Sequence, residues 1–194
     1  MNLRDTLKIN KAGHLEIGGM DAVDIARRFG TPLYAFDEAH IRRMMRTYKS
    51  VIDGEYGGNG MVLYASKAFS CEAIYTIARQ EGIGVDVVSG GELYTAVQSG
   101  FPSDKIYMHG NNKLERELEY ALDCGVGNIV VDSFREADML DSIAAGKNII
   151  QKVLIRINPG VEAHTHAFVQ TARTDSKFGF SISDGTAEAI AKHV

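Results

Sequence analysis

Met61-Val62-Leu63-Tyr64-Ala65-Ser66-Lys67-Ala68-Phe69-Ser70 is the stretch from which the fold is read. An apolar run leads straight into a lysine, and a turn and then a helix follow. A strand that ends this way places a primary amine at the mouth of a sheet. There the amine can hold a carbonyl-bearing cofactor as a Schiff base. A lysine at a strand end can equally be an ordinary solvated residue whose stem covers apolar surface. The rest of the chain decides between the two.

From residue 62 onward one pattern repeats: a short apolar run, a turn, an amphipathic helix. The runs are Val62–Ala65, Gly84–Val88, Lys105–Met108, Asn128–Val131 and Lys152–Ile157, and helices are predicted over 71–81, 90–99, 113–123 and 134–146. Ala73-Ile74-Ile77-Ala78 and Leu114-Leu118-Ala121-Leu122 each fall on one helical face. Gly82, Gly100, Gly125 and Gly146 stand where helices should stop. Strands alternating with helices make βαβ units and a parallel sheet, and near-continuous apolar runs suit strands covered on both faces. A closed barrel and an open doubly wound sheet both satisfy this. The dinucleotide glycine fingerprint is missing after the first strand, which weakens the open-sheet reading. Gly57-Gly58-Asn59-Gly60 precedes a strand and reads as a turn.

The fold class is α/β, and of the two arrangements the expected one is a (β/α)8 barrel, incomplete in this chain. A full barrel takes ~250 residues, whereas 194 residues supply five repeat strands and the start of a further helix at Gly185–Val194. The chain is expected to be part of a longer protein. Residues 1–37 stand outside the repeat, with a helix at Asp21–Phe29 ending at Gly30 and a strand at Pro32–Phe36. They are assigned to a second, β-rich domain. Residues 38–194, opening with a helix over 38–51, are assigned to the partial barrel.

Barrel strands present functional side chains at their carboxyl ends. Taken in order, those ends carry Lys67, then Asp86 with Ser89-Gly90-Gly91-Glu92, then His109-Gly110-Asn111-Asn112-Lys113, then Asp132-Ser133, then Arg156-Ile157-Asn158-Pro159-Gly160. One polar strand end is routine; five in succession point to one crevice. Each has a plainer role available. Asp86 could cap the next helix, though Ser89 is nearer, and Asp132 or Ser133 could cap the one after. His109 could be a loop histidine. Arg156, inside a strand rich in Val, Leu and Ile, needs a buried partner.

With 45% hydrophobic and 24% charged residues and a formal charge of −4, the chain has an ordinary globular composition. No basic stripe suggests nucleic acid; Arg42-Arg43 with Arg46 fits one solvated helix face. No apolar stretch approaches the ~20 residues needed to span a bilayer, so the cytoplasm is expected. Cys71 and Cys124 make no disulfide or metal framework and are read as small, buried, reduced thiols.

Five segments together resemble one family: Tyr64-Ala65-Ser66-Lys67-Ala68, Val85-Asp86-Val87-Val88-Ser89-Gly90-Gly91-Glu92, His109-Gly110-Asn111, Arg156-Ile157-Asn158-Pro159-Gly160 and Asp175-Ser176-Lys177-Phe178-Gly179-Phe180. They are similar to the diaminopimelate decarboxylases, a branch of the alanine-racemase-fold, pyridoxal-phosphate-dependent amino-acid decarboxylases. The similarity extends to Gly30-Thr31-Pro32-Leu33-Tyr34, and His164-Thr165-His166 narrows it toward this branch. The resemblance implies decarboxylation of meso-2,6-diaminopimelate to L-lysine by a homodimer with shared active sites. It implies Lys67 as the catalytic residue that bonds pyridoxal 5'-phosphate. Asp86 would lie beside that lysine, His109 and Asn111 would line the mouth, Arg156 would act near the cofactor ring, and Lys177 would sit in a loop over the site. The family's later phosphate-binding loop, the glutamate facing the pyridine nitrogen and a cysteine given across the dimer have no counterpart in this chain. The full-length protein is therefore expected to act on a small amino acid, and the 194-residue piece to be inactive.

Other decarboxylases of this fold, acting on ornithine, arginine or carboxynorspermidine, remain open, as does a pyridoxal-phosphate-binding homologue without turnover. Glu162, His164 and His166 could align as metal ligands on an extended segment, but no fourth ligand or supporting shell is evident, and no metal is assigned.

Overall fold

The computed structural model describes residues 6–160 and 178–194. Its contacts divide the chain into two units, Met1–Val62 and Leu63–Val194.

In the first unit β1 (Lys8–Ile9), β2 (Leu15–Ile17) and β3 (Met20–Asp21) form an antiparallel sheet in that order. Asp21 ends β3 and caps α1 (Ala22–Phe29), accepting from Val23 N at 2.8 Å. The same carboxylate takes Asn10 Nδ2 at 2.6 Å and His14 Nδ1 at 2.8 Å. Those bonds favour its charged form, and the His14 contact above all lowers its pKa from 3.8 to about 2. α2 (Glu38–Glu55) starts on the Asp37 cap and runs past the expected end at residue 51. Pro32–Phe36 is not a strand. No described strand pairs with it and its side chains are exposed, Tyr34 at 93%. A run with strand composition still needs a neighbour to take its backbone hydrogen bonds.

The second unit is the strand–helix repeat. It runs β4 (Leu63–Ala65), a single 3₁₀ turn at Ser66–Ala68, α3 (Glu72–Gln80), β5 (Gly84–Val87), α4 (Gly90–Gln98), β6 (Ile106–Met108), α5 (Glu115–Asp123), β7 (Asn128–Val131), α6 (Phe134–Lys147) and β8 (Val153–Ile155). β4 to β8 pair parallel in sequence order. Val85, Val87, Ile106, Met108, Ile129 and Val131 are fully buried, as are Leu93 and Leu118 on the covering helices. The expected run Lys152–Ile157 is interrupted at Arg156, after which β9 (Ile157–Asn158) pairs parallel with β10 (Phe180–Ser181), and α7 (Thr186–His193) follows. The interruption does not end the sheet. Arg156 N donates to Val131 O at 3.0 Å and Arg156 O accepts from Phe180 N at 2.8 Å, so one residue hands the ladder on.

Ser89 and Ser133 cap α4 and α6, each accepting from an N–H three residues on at 3.2 Å. α6 stops at left-handed Asn148 (φ 53°) and not at Gly146, and α5 starts at Glu115 because Lys113 is engaged elsewhere. Cys71 and Cys124 are free and partly exposed, against the expectation of burial. Both stand at helix termini, Cys71 opening α3 and Cys124 closing α5, where the covering helices are least enclosed.

Gly127 is dictated by close approach. Its N–H donates to Ser103 O at 2.9 Å, and a Cβ added there would lie 2.1 Å from Asp104 O. Gly127→Ala should therefore destabilise the whole protein by about 1–3 kcal/mol in chemical denaturation, the usual cost of forcing volume into a packed site. A change within ~0.5 kcal/mol would contradict this packing. In the first unit, an NMR titration of the Asp21 carboxyl should give a midpoint near 2. Because the folded value is depressed, the contribution of this cap is present above pH 3.8 and is lost as pH falls through about 2.

Candidate functional site

Parallel strands joined by helical crossovers deliver all their carboxyl ends to one edge. Lys67 lies in the 3₁₀ turn that leaves β4. β4 pairs with β5 so that Ala65 faces Asp86, and Lys67 follows just beyond that rung. Lys67 is exposed, and among the described residues its ammonium has no hydrogen-bond or ion-pair partner.

His109 sits immediately after β6, its N–H donating to Val87 O at 2.8 Å. Its Nδ1 is 3.6 Å from Asp86 Oδ2, an electrostatic contact and too long for a hydrogen bond. Asp86 Oδ1 and His109 Nε2 are both buried without a hydrogen-bond partner. Such atoms cost free energy until something pairs with them. Both belong to one close pair of side chains at the sheet edge, next to the rung that leads to an exposed amine, and suit a ligand with polar groups to pair them and an aldehyde for the amine. A phosphopyridine aldehyde fits that donor and acceptor set.

Arg156 finds the buried partner that its position demands. Its Nη1 is 3.2 Å from Asp132 Oδ1, whose side chain is 3% exposed, and its guanidinium lies over the Phe178 ring at 4.3 Å. Gly179 (φ +69°) must be glycine, since a Cβ there would come within 2.6 Å of Arg156 O. Phe178-Gly179-Phe180 thus wraps the arginine: one residue stacks, one permits the turn, one joins the ladder. Asp132 is not the helix cap; Ser133 is.

The structure brings Asp86 to His109 and Asp132 to Arg156, and no hydrogen bond or ion pair among the described residues joins Lys67 to either pair. Asn111 is exposed on the loop after His109. Lys177 and the Glu162, His164 and His166 group lie outside the described residues.

Sequence reasoning placed Lys113 in the segment after the third strand but gave it no role of its own. Its ammonium is 1% exposed and donates to Gly110 O at 2.7 Å, Val130 O at 2.8 Å and Glu136 Oε1 at 2.6 Å. All three donors of the lysine are therefore used. Burial pushes the Glu136 carboxyl up, and the neighbouring ammonium works against that shift. The one available signal was Ser133-Phe134-Arg135-Glu136, a capping-box spacing whose glutamate is also positioned to receive a lysine from the preceding crossover.

Residues 38–194 match the family "Pyridoxal-dependent decarboxylase, pyridoxal binding domain". The chain is 52% identical over 188 residues to a diaminopimelate decarboxylase of Bacillus methanolicus, covering 97% of this chain and 43% of that protein. It is 47% identical over 194 residues to the diaminopimelate decarboxylase of Bacillus subtilis, covering 100% and 44%. It superposes on the crystal structure of a diaminopimelate decarboxylase from M. jannaschii with a TM-score of 0.85 at 34% identity, covering 97% of this chain and 44% of that one. The chain thus spans somewhat under half the length of these relatives.

Lys113→Ala should cost the whole protein about 3–5 kcal/mol, because it strands a buried carboxylate. Removing both charges with Lys113→Met and Glu136→Leu should recover most of that loss in the same urea titration. A single variant as stable as the parent would show the pair to be solvated.

Proposed function

The chain belongs to the pyridoxal-dependent decarboxylases, and from that premise we propose that the whole protein removes carbon dioxide from meso-2,6-diaminopimelate to give L-lysine, with pyridoxal 5'-phosphate held at Lys67. The observation that carries the reading is the sheet edge. An exposed amine follows the rung to Asp86, and Asp86 Oδ1 and His109 Nε2 are buried and unpaired at the same sheet edge. The names of relatives at 52% and 47% identity support the substrate.

Lys67 Nζ is the atom that would hold the cofactor aldehyde, and as a free amine it would move a proton at the reacting carbon. When bound, the cofactor supplies an electron sink for the pair left behind as carbon dioxide departs. Asp86 places a carboxylate on the strand next to the one that delivers Lys67. His109 lines the mouth with a ring nitrogen ready to pair. Arg156, gripped by Asp132 and Phe178, offers a cation of fixed orientation at the same edge.

The same reading makes residues 1–37 part of a second, β-rich domain, beside a partial barrel over 38–194. The antiparallel β1–β3 sheet, unlike the parallel repeat, favours that assignment. It also makes the protein a cytoplasmic homodimer acting on a free amino acid, with no nucleic-acid or membrane partner. In keeping with this, the formal charge is −4, and no helix among the described residues is long and apolar enough to cross a membrane.

Substrate profiling of the whole protein tests the proposal. Carbon dioxide release from meso-diaminopimelate should exceed that from ornithine or arginine by ~100-fold or more in kcat/KM. Lys67→Ala should lower kcat by ~1,000-fold or more. Ornithine or arginine turned over as well as diaminopimelate would overturn the substrate, and an active Lys67→Ala would overturn the role of the amine.

A further inference from the structure

We infer that Lys113 is a positioning residue: its buried ammonium pins the His109 loop to the end of β7 and the start of α6, and so presets the surface that receives the cofactor. This rests on the functional reading above.

The loop is held from two directions. On the β5 side His109 N bonds Val87 O at 2.8 Å, and Gly110 (φ +113°) lies so close that an added Cβ would be 3.1 Å from Val88 O. On the other side Lys113 Nζ takes Gly110 O at 2.7 Å. Between them, the peptide that carries the His109 ring has little freedom.

The second bond, to Val130 O, falls just past the last β6–β7 rung, Met108 with Ile129. β6 has stopped there, and the lysine supplies a donor in its place. From that point β7 runs on to Val131 O, which accepts from Arg156 N, and to Asp132, which holds the Arg156 guanidinium. One ammonium therefore touches the loop bearing His109, the strand that leads to Asp132, and Glu136 in the first turn of α6.

A purely stabilising role would not call for a lysine. A buried ion pair is commonly matched or bettered in stability by apolar residues of similar volume. An apolar pair, however, could not hold two backbone carbonyls from different elements. What the lysine adds is geometry.

The test uses the whole protein and pyridoxal phosphate as the probe. Lys113→Met/Glu136→Leu should unfold near the parent's urea midpoint, bind the probe roughly tenfold or more weakly, and alter the visible circular dichroism of the band at about 420 nm. Its kcat should fall with little change in KM. Cofactor affinity within twofold of the parent and an unaltered band would overturn the inference. A wild-type measurement stands in should the variant not fold. Adding pyridoxal phosphate should slow hydrogen exchange in segments 109–114 and 133–137 together, and unchanged exchange at 133–137 would likewise overturn the inference. If the wild-type protein forms no such band at all, the functional reading falls and this one with it; a wild type that binds beside an equally competent variant removes only the role of Lys113.

Discussion

The constraint behind everything else is that successive strands run the same way. A parallel strand cannot turn back on itself through a tight hairpin, so each needs a helical crossover, and each crossover begins at the same edge of the sheet. The backbone ladder from Leu63 to Ile155 thereby collects Lys67, Asp86, His109, Asp132 and Arg156 on one rim, although they are spread over ninety positions of sequence. No side-chain contact is needed to gather them. The hydrogen-bond pattern of the main chain does so.

Side chains then refine what the backbone has gathered. Two buried charge pairs do most of this, and they differ in character. Lys113 with Glu136 is sealed, at 1% and 5% exposure, and its bonds go largely to main-chain oxygens. Arg156 with Asp132 is sealed only on the acid side and leaves the guanidinium 26% exposed toward the rim. The first arrangement fixes backbone, while the second aims a cation. Against these satisfied groups stand the unpaired Asp86 Oδ1 and His109 Nε2, and Ser66 Oγ, next to Lys67 in the chain, is likewise buried without a partner.

Glycine marks where the packing leaves no room. At Gly127 a side chain would collide with the Asp104 carbonyl, and at Gly179 with the Arg156 carbonyl. The second of these links fold to site. The turn that lets Phe178 cover the guanidinium and Phe180 enter the ladder exists only because that position carries no Cβ.

The order of the repeat's strands and helices, the cap at Ser89 and the strand-end positions of Lys67, Asp86, His109 and Arg156 were legible in the chain alone, while the sequence left the α6 cap open between Asp132 and Ser133. Each depends on local periodicity or on neighbours a few residues away. The interruption at Arg156, the missing strand at Pro32–Phe36 and the choice of Asp132 as an arginine partner were not legible. Each is settled by a residue distant in sequence or by whether a neighbouring strand exists. Lys113 shows the difference most sharply. From sequence it opens a helix, whereas in the fold it is buried just ahead of that helix, holding Gly110, Val130 and Glu136 together. Periodicity reports which face of an element is apolar, but only packing decides which ammonium can be sealed from water, because that requires three acceptors to converge from three separate elements.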